Sequence, residues 1–208
     1  MMSVRTPLRR AYIPVLSCVA IAALAAGCSS SSSVANFDLT APRQVRAGGS
    51  ALGQIAVAEP GAVQPLESDR IVVKDATGAV SGVSGGQWAD RLPRLVQSRL
   101  IQTFENSSGL KAVSRPGGGV TPDYQLNSEI RAFQIDAPSG QAVVEISVKL
   151  VHDRSGRIAT TRIFTGRVPA GTIDATNAAQ ALDRALSIVL VDIVRYVGSA
   201  RSVNAPST

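Results

Sequence analysis

The stretch QAVVEISVKLVHD, residues 141–153, decides the fold: Val144, Ile146, Val148 and Leu150 point one way while Glu145, Ser147 and Lys149 point the other. A period of two over this length is a strand with one covered and one wet face. Its neighbours repeat the pattern. Residues 124–136 and 157–169 read as two more long strands, divided from it by Ala137-Pro138-Ser139-Gly140 and by a turn at Arg154-Ser155-Gly156. Strands so closely linked by turn residues form an antiparallel meander.

Outward from the meander the period changes to that of helices. Leu182, Ala185, Leu186, Val189, Ile193 and Val197 recur at three and four residues over 177–199, with Asp174 or Thr176 as cap. Upstream, Leu92, Leu95, Val96, Leu100 and Phe104 define a second amphipathic helix. Its polar side holds Arg91, Arg94, Gln97, Ser98 and Gln102, and Asp90 is its expected N-cap; Pro93 falls in the first turn, where a missing N–H costs nothing. Short strands are expected at 36–40, 53–58, 70–74, 80–83 and 110–114, with a turn at Glu59-Pro60-Gly61 and a surface loop at 116–119. The expected fold is therefore α/β (α+β): a single domain, a mixed sheet with a long antiparallel meander packed against two main helices. No internal repeat is visible.

The start of the chain has a different character. Arg5, Arg9 and Arg10 precede an uncharged apolar segment, residues 11–26, too short for a spanning helix. It ends Leu24-Ala25-Ala26-Gly27-Cys28 and resembles a bacterial lipobox, in which the cysteine is acylated and becomes the new N-terminus. Ala25 stands where Leu, Val or Ile is usual, with Leu24 one step further out. The alternatives are an ordinary secretory signal cut after an A-x-A-like site and an uncleaved anchor. Cys18 leaves with the leader, so Cys28 is the one cysteine of the mature chain. Ser29 to Ser33 forms a solvated tether reaching at most ~17 Å. The resulting division is 1–27 signal peptide, 28–36 lipidated Cys28 and Ser-rich tether, 37–199 folded domain, and 200–208 frayed tail. Ser29 directly after Cys28 favours the outer membrane, by resemblance to the enterobacterial sorting rule.

Net charge argues against nucleic acid as a partner. The chain carries +6, but the leader holds three of its 21 basic residues; the remaining 18 against 15 acidic leave +3, scattered singly with no aromatic platform. Chemistry-bearing candidates are few. His152 is the single histidine and reads as a structural residue; with no other His, and no Cys beyond the anchor, there is nothing to complete a metal site. Gly82-Val83-Ser84-Gly85-Gly86 fits G-x-S-x-G, yet Gln87, Trp88 and Ala89 intervene before the helix, so a loop is expected rather than a nucleophile elbow, and a hydrolase built on Ser84 and His152 is disfavoured. Trp88 is expected in the core. The run Ile188-Val189-Leu190-Val191 cannot all face one sheet: cover by another part of the domain is the favoured account, with Leu186, Val189 and Ile193 expected in the core, and Leu190 and Val191 are the better candidates if the run instead leaves a partner-binding surface.

In this order the pieces resemble the ABC-type transport auxiliary lipoprotein family, which accompanies MCE-type (mammalian cell entry) lipid transporters. The resemblance rests on Cys28, Phe37-Asp38-Leu39, Asp69-Arg70-Ile71-Val72-Val73 and Trp88-Ala89-Asp90 with its helix. It continues through residues 126–133, the hairpin at 143–153 with Ser155-Gly156, and the Ala-rich last helix. Thr40-Ala41-Pro42 departs from it, since relatives more often continue Leu-rich there. The resemblance implies a non-enzymatic lipoprotein, without cofactor beyond the lipid on Cys28. It would lie at the periplasmic face of the outer membrane, with an MCE-domain protein and ABC transporter subunits as partners and a homo-oligomer possible. A structural or regulatory envelope lipoprotein, such as a cell-wall synthesis activator, is the alternative.

Overall fold

A computed structural model describes residues 34–46, 53–108 and 112–200. The leader, Cys28, the serine tether and the tail from 201 lie outside the described residues. Strand β7, Tyr124–Asp136, is the spine of a nine-stranded mixed sheet. One of its edges pairs antiparallel along its length with β8, Gln141–His152, which pairs in turn with β9, Ile158–Pro169, completing the expected meander. The other edge is filled in succession by three short parallel segments: β2 (Ile55–Val57), β3 (Gly61–Ala62) and β4 (Arg70–Lys74). Beyond β4 come β5 (Val80–Trp88) and then β1 (Ala35–Phe37); beyond β2 comes β6 (Val113–Ser114).

Helices α1 (Leu92–Glu105) and α2 (Ala175–Ser199) cover one face. Ala142, Val144, Ile146, Val148 and Leu150 of β8 are buried toward them, whereas Glu145, Ser147 and Lys149 stay at least partly accessible on the open face. The helix α2 runs over strands from β9 across to β1 and touches α1. Its close seat on β9 depends on Gly166, where a Cβ would run into the carbonyl oxygen of Ala185. Trp88 is buried in the core and meets Phe133 edge-on, ring centroids 5.7 Å apart.

Several details differ from the expectations. The N-cap of α1 is Arg91, not Asp90; the Asp90 carboxylate instead accepts from the Arg91 N–H at 2.7 Å and reaches the Arg94 guanidinium at 3.4 Å. Gln97 is not on the wet side of α1 but buried, because its amide donates to the Val57 carbonyl of β2 at 2.9 Å and accepts from Arg115 at 3.1 Å. Gly82 to Gly86 is not a loop: β5 continues through it, held by β4 on one side and by β1 on the other. Glu59-Pro60-Gly61 does not simply stop a strand, since Gly61 at once pairs with Glu129. The strands expected at 36–40 and 53–58 shrink to three residues each.

Candidate functional site

The last helix begins at Asp174, whose carboxylate accepts from the Asn177 backbone N–H at 2.9 Å; that bond holds its pKa below the ordinary 3.8. From this cap the helix buries a broad arc. Leu186, Val189 and Ile193 lie in the core as expected, but so does Leu190, with no exposed surface at all. Leu190 is therefore removed as a contact for a partner, because the sheet and α1 together cover a wider arc than the sheet alone. Val191 is half-buried against the core, and the exposed member of the run is Ile188, at 44%.

The catalytic reading of Ser84 and His152 finds no geometry to support it. Ser84 is exposed on β5, and the chain leaves that strand for α1 without an elbow. His152 sits opposite Tyr124 at the start of β7, whereas β4, which carries β5, joins β7 at residues 134–136, its far end. The His152 Nδ1 lies 3.1 Å from the Ser155 hydroxyl and the ring packs edge-on against Tyr124. Among the described residues no group of three or more His, Cys, Asp or Glu is placed to hold a metal, and no helix is long and apolar enough to cross a membrane.

What the domain does present is surface. The open face of the sheet carries a shallow cleft of about 360 Å³, bordered by Val63, Asn127, Glu129, Ser147 and Lys149. A second cleft of about 580 Å³ lies between β9 and the C-terminal half of α2. There Arg162 rests over the rings of Phe164 and Tyr196, 5.5 and 5.1 Å from their centroids, with Ile163 and Arg195 alongside; Asp192 is the only carboxylate lining it. Thr160 and Tyr196 share a hydroxyl hydrogen bond that pins the helix to the strand. No periodicity or motif marks this cleft in advance, because it depends on the register of β9 against α2.

At the opposite edge, the segment that follows the tether is fastened to the domain. The Arg99 guanidinium bonds Asp38 at 2.5 Å, and Asp183 accepts from both the backbone N–H and the hydroxyl of Thr40, each at 2.7 Å. The outermost strand on this side, β1, thus begins seven residues after Cys28.

These features define a small helix-on-sheet α+β domain whose distinctive surfaces are an open sheet face and the cleft beside its last strand. The chain belongs to the ABC-type transport auxiliary lipoprotein component family, whose model matches residues 37–194. That family is described as the auxiliary lipoprotein component of ABC-type transport systems. A protein of Xanthomonas campestris assigned to the DUF330 family model has a crystal structure that superposes with a TM-score of 0.67; it is 27% identical, covering 77% of this chain and 93% of that one. A second crystal structure superposes at 0.62 over 79% of this chain and 99% of its own, but at 15% identity it shows the fold alone. An uncharacterized protein of Bradyrhizobium diazoefficiens is 30% identical over 162 residues, 77% of this chain; the aligned part spans only 44% of that relative's length.

Proposed function

We propose that the chain is the lipid-anchored periplasmic accessory of an MCE-type ABC transporter, assisting the passage of phospholipid or another hydrophobic substrate between inner and outer membranes. The observation that carries this reading is that the family match extends over nearly the whole folded domain, from Phe37 to Val194, rather than over a fragment of it. In this role the protein is not an enzyme. Cys28 takes the acyl chains, which hold it at the outer membrane, each buried CH₂ adding about 0.8 kcal/mol. The folded domain then meets an MCE-domain protein and, through it, the permease and ATPase subunits.

The test is affinity purification of the tagged full chain from detergent-solubilised membranes of its own host. Recovery of an MCE-domain protein together with ABC subunits is the expected result. Recovery of cell-wall synthases instead, with no transporter subunit, would replace the reading with that of a regulatory envelope lipoprotein.

A further inference from the structure

Strand β9 is the last strand on its side of the sheet, and among the described residues it pairs only with β8. The direction of its backbone groups follows from one hydrogen bond. The Ala170 N–H donates to the Gly140 carbonyl at 2.9 Å, just beyond the Gln141–Pro169 pair of the ladder. Antiparallel ladders alternate bonded and non-bonded pairs. Hence residues 160, 162, 164, 166 and 168 turn their amides toward β8, and Thr161, Ile163, Thr165 and Arg167 turn theirs away from it. Pro169 occupies the next outward position, where a missing N–H leaves no gap in the ladder.

The charged side chains of the strand itself have one sign, although Asp192 lines the cleft on the helix side. The strand holds Arg162 and Arg167 and no carboxylate. Neither arginine has an ion pair among the described residues. Arg162 lines the cleft on the helix side together with Arg195, while Arg167, opposite Val143, lies on the open side. The open-face acid Glu145 is engaged by Arg131 at 3.4 Å and accepts from the Thr165 hydroxyl of β9 at 3.4 Å. Between the two arginines Ile163 is 48% exposed.

We infer that the outer edge of β9 accepts an extended, acidic segment of a protein partner as an added strand. Main-chain hydrogen bonds to the outward row supply affinity, and carboxylates on the two sides of that strand meet Arg162 and Arg167. Pairing with a second copy of β9 is the poorer fit, because it gathers four guanidiniums and no carboxylate. The inference rests on the reading that the domain docks on a protein partner, and it names the place.

The test uses the detergent-purified full chain and a synthetic peptide of about ten residues, enough to cover the strand. The peptide repeats Glu-Glu-Val, so that carboxylates appear on both sides when it is extended; a control replaces Glu by Lys. Hydrogen exchange is followed at residues 158–169. The acidic peptide is expected to slow exchange of the outward amides, and the protection is expected to fade with added salt. Ile163→Pro, which removes one outward N–H at an edge position, is expected to abolish it. Arg167→Glu is expected to weaken binding by roughly fivefold with an unchanged melting temperature, and it serves alone if the proline variant does not fold. Equal protection by the Lys peptide, or no protection of β9, overturns the inference. So does protection without peptide that grows with protein concentration, which would mean self-pairing. Copurification of the unmutated chain with transporter subunits scores the proposed function separately: if it persists while β9 remains unprotected, only the docking strand is wrong.

Discussion

A single leucine separates two readings of the last helix. At about 100° per residue Leu190 lies roughly 40° from Leu186, well inside the arc that runs from Ala185 to Val194, and it is fully buried. Leu190→Glu is expected to prevent folding, since an unpaired charge in the core exceeds the ordinary range of about 0.5–3 kcal/mol for single substitutions. Ile188→Glu, on the 44% exposed side chain two residues earlier, is expected to leave the thermal midpoint within a degree or so of the parent; circular dichroism melts distinguish the pair. Gly166→Ala makes a third point of the same kind: the new methyl group meets the Ala185 carbonyl, so α2 must lift from β9. A loss of about 1–3 kcal/mol in urea unfolding is expected, and no loss would mean that the helix sits farther out. Cys28→Ala is expected to abolish incorporation of a fatty-acid analogue, with equal labelling of mutant and parent counting against acylation there. The core pattern at Leu186, Val189 and Ile193 was legible because periodicity alone places them. Leu190 was not, because the width of a buried arc depends on the second helix and not on the helix's own sequence.

At the scale of elements, long periodic segments could be read and short ones could not. The three meander strands and both helices carry their own signal, period two or 3.6 sustained over three turns or more. Strands of two or three residues such as β1, β2, β3 and β6 have no such signal; they are strands because the edge of β7, β5 or β2 offers unpaired groups to whatever runs past. The same reason explains residues 82–86, whose glycines and serine look like a loop until β4 and β1 bracket them. Caps were half legible. Asp174 does cap α2, whereas Asp90 turns back onto the neighbouring amide and leaves Arg91 at the boundary. The Asp174 cap has a pH signature. Hydrogen bonding to the carboxylate, led by the Asn177 N–H, lowers its pKa in the folded state, so the stabilisation is complete above the unfolded value near 3.8 and is lost as pH falls through the lower folded value. Asp174→Ala is therefore expected to lower the melting temperature at pH 7, with the gap to the parent closing below pH 3.8; a constant gap across that range would show that the carboxylate charge is irrelevant to the cap.

For the whole molecule, the sheet has two ends of different character. Its β1 end continues into the tether and is fastened by Arg99 and Asp183, while its β9 end keeps a row of outward backbone groups. The order of strands between them also bears on how the chain comes into being. Every strand from β2 to β4 leans on β7, which lies some fifty to seventy residues further along the sequence. A chain delivered from its amino end, through a ribosome or across a membrane pore, thus presents its first half before the spine that half requires. That half waits as an open chain, which is the state in which a polypeptide can still be threaded. Folding is deferred until residues 124–136 arrive, and the lid over them, α2, comes last of all. In a series of stalled chains of increasing length, protease resistance is expected to appear only once residue 200 has emerged, in one step and not strand by strand.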